Sequence, residues 1–152
     1  MAEPEDRPSV TEVLRRADQG WSSFRATVRA LPEDAWDEPV PGDGWTRRKM
    51  LNHIRVWHEV TARRLRYFRE TGERPPSPGD EDTINAQAAA DADLRTRAMI
   101  LADLDASYGR LLEEVRQLRD EQLTAHGSWP VAVVADNTWG HYEEHRADLA
   151  EP

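Results

Sequence analysis

The sequence predicts an all-α protein, a four-helix bundle with a long crossover between the second and third helices. Apolar residues recur at three- and four-residue steps in four segments, which is the period of one helix face. No segment shows the apolar–polar alternation of a half-buried strand. A chain of 152 residues has the length of one domain. We therefore expect a single domain over residues 1–152, with an ordered core from about residue 9 to residue 149.

The first helix is predicted to begin after Ser9, because a serine can cap the free backbone N–H groups and Glu12 can reach back to the cap residue. Its apolar face comprises Val10, Val13, Leu14, Ala17, Trp21, Phe24, Val28 and Leu31. Residues 32–36 can form one helical turn. Pro39 and Pro41 prevent this turn from continuing.

The second helix is predicted to start after Thr46, a plausible cap, and to stop at Gly72. Its inward face comprises Met50, Leu51, Ile54, Trp57, Thr61, Leu65 and Phe68. His53 lies three residues after Met50, which places it on the edge of the buried face. Residues 73–82 contain three prolines and a glycine, so they are expected to form the crossover loop.

The third helical region is expected to break near Ala92. Its apolar stripe comprises Leu94, Ala98, Leu101, Leu104, Tyr108, Leu111, Val115 and Leu118. In the fourth helix, Pro130 suits the first turn. The inward stripe that follows comprises Val134, Asn137, His141, His145 and Leu149.

Composition limits the partners and the compartment. The chain has 20 Lys+Arg against 29 Asp+Glu, a net charge of -9, which predicts no nucleic-acid partner and no anionic membrane partner. It has no cysteine, so any thiol must come from outside the chain. The first six residues carry three acidic side chains where a signal peptide would be basic, and the longest apolar run, residues 131–135, is too short to span a bilayer. These features predict a cytoplasmic protein.

Histidines suggest a metal site. His141 and His145 are four residues apart, so they share one helix face with Cβ atoms about 5–6 Å apart. If packing brings His53 opposite them, three imidazoles surround one point. Such a set suits Zn²⁺, Ni²⁺, Fe²⁺ or Cu²⁺ better than Mg²⁺ or Ca²⁺. Three protein ligands leave a position open for water, substrate or an external thiolate.

Residues 141–145 also spell H-x-x-E-H, the inverted zinc-protease motif. That interpretation is rejected, because such proteases are larger and need a further glutamate well downstream. Glu144 lies off the histidine stripe and is a weak catalytic candidate. Tyr142 is another weak candidate, which can either line a pocket or simply pack.

Three residues are candidates for a small-molecule substrate pocket. Trp57 lies one turn beyond His53, and Asn137 lies one turn before His141. Asn85 is expected near the crossover, at the start of the third helix. His58 is predicted to face about 140° away from His53 and is left out of the site, as is His126, which is expected in a loop.

The chain resembles the DinB-like superfamily, which includes the N-terminal domain of mycothiol-dependent maleylpyruvate isomerase. The resemblance rests on Gly44-Trp45 opening a helix with His53, and on His141-x-x-x-His145 in the last helix. Asn137-Thr138, followed by His141-Tyr142-Glu143-Glu144-His145, is more particularly similar to the ClbS/DfsB branch. The resemblance covers roughly residues 9–149. It implies an open divalent metal site at His53, His141 and His145, and a possible homodimer.

Three functions are consistent with the residues and the resemblance. The first is a metal-dependent enzyme that activates water or a low-molecular-weight thiol against a small electrophile, as a hydrolase or a transferase. The second is a metal-independent self-resistance protein of the ClbS type, which hydrolyses or sequesters a reactive natural product. The third is a non-catalytic, stress-associated binding module.

Overall fold

The computed structural model describes residues 7–40 and 44–150. Within these ranges the chain forms α1 (Val10–Ala30), α2 (Arg47–Thr71), α3 (Glu81–Ala92), α4 (Arg97–Arg116), α5 (Ala125–Asn137) and α6 (Trp139–Ala150). Short 3-10 helices occupy Glu33–Asp37 and Asp120–Thr124. The described ranges contain no strand, and the predicted all-α class is confirmed. No helix in them is long and apolar enough to cross a lipid bilayer.

Three predicted helix ends are present. The Ser9 hydroxyl accepts a hydrogen bond from the Glu12 amide at 3.1 Å, and the Thr46 hydroxyl accepts one from the Lys49 amide at 3.2 Å. Gly72 ends α2 in the left-handed region at φ 76°, where glycine has no steric cost. Pro41 and the N-terminal residues 1–6, about which the sequence also made predictions, lie outside the residues that the structure describes.

The predicted third helix is divided into α3 and α4, with the break directly after Ala92. Thr96 caps α4 by accepting a hydrogen bond from the Met99 amide at 3.1 Å. The interpretation of Leu94 as part of the apolar stripe is wrong. Leu94 lies in the turn between the two helices and is 83% exposed.

The predicted fourth helix is also divided, because regular geometry is lost at Thr138 (φ -123°, ψ -107°). The Asn137 amide donates to the Val133 carbonyl at 2.8 Å, and the Thr138 hydroxyl donates to the Val134 carbonyl at 2.7 Å. Such side-chain bonds to the preceding turn compete with the backbone ladder and bend or end helices. The sequence pattern correctly assigned the apolar stripe here and missed the break.

Helix α6 packs closely on α1 and α2. A Cβ added to Gly20 of α1 would come within 3.0 Å of the Trp139 Cβ, so a larger residue would force the two helices apart. Next along the interface, the rings of Phe24 and Tyr142 stack with centroids 4.9 Å apart. Both rings belong to a buried cluster that also includes Leu51 and Ile54 of α2. This packing fixes α6 beside α2.

Candidate metal centre

Three histidines converge between α2 and α6. His53, His141 and His145 each offer one ring nitrogen, and these atoms lie within 4.8 Å of one another. The Nε2 atoms of His53 and His141 are 3.0 Å apart. Two nitrogens bound to one tetrahedral zinc ion at 2.0–2.1 Å are about 3.3 Å from each other. The spacing of the triad therefore fits a divalent transition metal.

Burial keeps His141 in the form that binds metals. His53 and His141 are each 7% exposed. Burial, and then the charges of His53, His145 and His58, lower the pKa of His141 from 6.5 to about 2. The ring is therefore neutral at ordinary pH, which is the ligating form. Its Nε2 atom faces that of His53 and would bind the ion, whereas its Nδ1 atom is buried and has no hydrogen-bond partner among the described residues.

The triad opens into a cavity of about 620 Å³, a volume within the usual range of small-molecule sites. Its wall comprises Trp45, Met50, His53, Trp57, Glu81, Asn85, Asp136, Asn137, His141, Glu144 and His145. The Trp57 indole N–H donates to the Asn85 side-chain oxygen at 2.7 Å, which ties α2 to α3. The structure thus brings Trp57, Asn85, Asn137 and Glu144 to the triad.

Tyr142 lies elsewhere. It does not line this cavity, is 1% exposed and stacks on Phe24 in the core. Its hydroxyl lies 2.6 Å from His58 Nε2. Tyr142 follows His141 in the chain, so its side chain is rotated about 100° around the helix axis from that of His141 and points into the bundle. Its position does not support its candidacy as a catalytic residue of this cavity.

His58, which the sequence places outside the site, lies in a buried network of hydrogen bonds. The Ser107 hydroxyl donates to the Leu104 carbonyl at 2.9 Å, so its oxygen is left to accept from His58 Nδ1–H, also at 2.9 Å. His58 Nε2 then accepts from the Tyr142 hydroxyl. This chain of bonds joins α2, α4 and α6. The sequence indicates this burial of His58, because the residue lies four positions after Ile54 on the apolar stripe of the second helix.

The network predicts a pH dependence of stability. Burial lowers the pKa of His58 from 6.5 to about 3. The unfolded chain takes up this proton near pH 6.5 and the folded protein only near pH 3, so stability falls as the pH drops between these values. Each pH unit below 6.5 lowers the free energy of unfolding by about 1.4 kcal/mol for this one proton. At pH 5 the loss of stability is therefore roughly 2 kcal/mol.

The measurement is urea unfolding at pH 7.5 and pH 5 for the wild type and for His58→Gln, which keeps a donor and an acceptor but does not titrate. The variant should lose roughly 2 kcal/mol less than the wild type over this interval. Equal losses would show that the folded state does not hold His58 neutral.

The fold and the site together define a helical-bundle protein with a histidine-lined cavity, whose wall includes residues of α2, α3, α5 and α6. A model of the DinB superfamily matches residues 16–148. The chain belongs to the DinB superfamily. No curated protein sequence matches it significantly.

Solved structures share the fold at low sequence identity. An uncharacterised protein from Escherichia coli UTI89 has a TM-score of 0.78 and 13% identity, over 95% of this chain and 93% of that one. The colibactin self-resistance protein ClbS has a TM-score of 0.79 and 13% identity, over 93% of each chain. The mycothiol-dependent maleylpyruvate isomerase has a TM-score of 0.71 and 19% identity. The match to the isomerase covers 98% of this chain but only 63% of the isomerase.

One prediction is overturned by these comparisons. The net charge of -9 predicted no nucleic-acid partner, but ClbS, which has this fold, is crystallised in complex with double-stranded DNA. The prediction was wrong because net charge sums over the whole surface. Local potential, and not this sum, governs binding at one face.

Proposed function

We propose that this chain is a metal-dependent enzyme of the DinB superfamily that activates water or a low-molecular-weight thiol against a small electrophilic molecule. The observation that carries the proposal is the convergence of three imidazole nitrogens within 4.8 Å at the wall of a cavity of about 620 Å³. His53, His141 and His145 would hold Zn²⁺, Ni²⁺ or Fe²⁺. When bound, such an ion supplies Lewis-acid polarisation of the substrate and lowers the pKa of a nucleophile.

The chain's own residues supply orientation and proton transfer. The hydrogen-bonded Trp57 and Asn85 form a fixed wall against which a substrate can lie. Glu144 lines the same cavity next to His145, and its carboxylate is the group proposed to accept a proton from the nucleophile. Asn137 adds a polar group to the wall one turn before His141.

A thiol nucleophile would have to be a cosubstrate, because the chain has no cysteine. The likeness in fold to a mycothiol-dependent isomerase supports this option. Turnover of an electrophile with and without an added thiol distinguishes thiol transfer from hydrolysis. Turnover that persists after chelation would contradict metal dependence and favour a metal-independent activity of the ClbS type.

The direct test is the metal content of protein purified without a histidine tag. We expect close to one equivalent of a divalent transition metal per chain. A chelator should then lower the Tm, because a ligand present at a hundred times its Kd stabilises the folded state by about 2.7 kcal/mol. For a domain of this size that is a shift of roughly 5–10 °C. Protein without metal and without a chelator effect would contradict the proposal.

A further inference from the structure

The wall of the cavity is negatively charged. Among the residues that the structure describes, it includes the carboxylates of Glu81, Asp136 and Glu144 and no lysine or arginine. All three acidic residues are exposed, so their carboxylates lie where the cavity meets solvent. They come from three different helices, α3, α5 and α6.

These carboxylates have no partner in the described part of the chain. Within residues 7–40 and 44–150, none of the three makes an ion pair, and none accepts a hydrogen bond through its side chain. Several acids elsewhere on the surface are paired with arginines. Asp91, for example, pairs with Arg55 at 3.0 Å. The negative charge of the cavity wall is therefore left for a ligand or for solvent ions.

Aromatic rings in the same wall favour the same kind of ligand. Trp45 and Trp57 both line the cavity, and indole faces attract cations more strongly than other aromatic side chains do. Deeper in the cavity, the imidazoles of His53 and His141 are each 7% exposed. The cavity thus combines a polar floor with an anionic, aromatic rim.

We propose that the substrate is an organic cation, a small molecule that places an ammonium group at the rim while its reactive group reaches the histidines. The proposal rests on the proposed function, because it takes this cavity as the substrate site. The two positive charges of a divalent ion at the triad would offset two of the three carboxylate charges, so the net charge of the cavity wall would remain negative. Anionic substrates are therefore disfavoured in either case.

The experiment compares two probes that share a benzyl group, benzyltrimethylammonium and phenylmethanesulfonate. Their binding is measured by titration calorimetry at low ionic strength, on chelator-treated protein and on zinc-loaded protein. The cation should bind at least roughly tenfold more tightly, because each unit charge at about 6 Å changes affinity by about threefold in a water-like dielectric. Added salt should reduce the difference.

Two variants with the same net charge distinguish the effect of the rim carboxylates on cation binding from the effect of the protein's overall charge. The triple variant Glu81→Gln, Asp136→Asn, Glu144→Gln should lose about thirtyfold in cation affinity, about threefold for each carboxylate removed. The control Glu33→Gln, Asp34→Asn, Glu73→Gln removes the same charge outside the cavity and should lose little. Equal affinity for the two probes, no binding of either, or equal losses in both variants overturns the proposal.

The two proposals fail separately. Protein that holds metal but does not prefer the cation contradicts only the substrate class. Protein that prefers the cation but holds no metal contradicts metal dependence and supports the assignment of the substrate class.

Discussion

Replacing His141 by alanine is expected to lower the affinity for a divalent transition metal at least about a hundredfold. Removing a residue that only hydrogen-bonds to a metal ligand already lowers metal affinity about 10–100-fold. His141 is proposed to be a ligand itself, so its loss should cost more. Its Nε2 atom is 3.0 Å from that of His53. Without it, two imidazoles remain from two separate helices, and a site of two ligands is too weak to retain metal during purification.

The measurement is competition with a chromophoric chelator, with far-UV circular dichroism to confirm that the variant is folded. His126→Ala is the matched control. His126 is an exposed histidine that bonds to the Gly72 carbonyl at 2.8 Å and is not part of the cavity wall. Unchanged affinity in His141→Ala, or an equal loss in the control, would exclude the triad as the metal site.

Replacing Phe24 by alanine is expected to destabilise the protein by about 3–5 kcal/mol, the usual cost of removing a fully buried phenylalanine. Phe24 is 0% exposed. It contacts Tyr142 of α6 in a stacked geometry and lies with its ring centroid 6.0 Å from that of Trp21. The substitution would leave a void between α1 and α6 where the phenyl ring had packed. Because domains are stable by only about 5–15 kcal/mol, this is a large fraction of the total.

Thermal and urea unfolding measure the effect, with an expected fall in Tm of roughly 6–20 °C. Tyr67→Ala is the control, since Tyr67 is an aromatic residue on α2 that is 44% exposed. Its truncation should change stability by less than about 0.5 kcal/mol. A small effect at Phe24 would mean that α1 and α6 are not held together by this stack.

The local signals in the sequence correctly predicted the start of α1 and both ends of α2. Ser9, Thr46 and Gly72 act through bonds and dihedral angles within a few residues, so no knowledge of the fold was needed. The break at Thr138 is just as local but was missed. Asparagine and threonine also occur inside helices, and only the geometry shows that their side chains have taken the Val133 and Val134 carbonyls.

The core was predicted less completely than the helices. Leu94 follows the apolar repeat but falls in a turn and is exposed. The helical period predicts that His58 faces away from His53, and the structure shows it buried in the bundle, hydrogen-bonded to Ser107 and Tyr142. Whether a polar residue on an apolar stripe is buried depends on whether partners from other helices reach it.

By itself, the sequence determined the helical class, the main helix boundaries and the presence of two histidines on one helix face, since periodicity and capping act over short distances. Tertiary structure alone decided that His53 meets His141, a residue 88 positions away. It also decided that Glu81, Asp136 and Glu144 lie together at the rim of one cavity. The physical reason is that the distances between helices are set by core packing, which includes the close approach at Gly20 and the Phe24–Tyr142 stack.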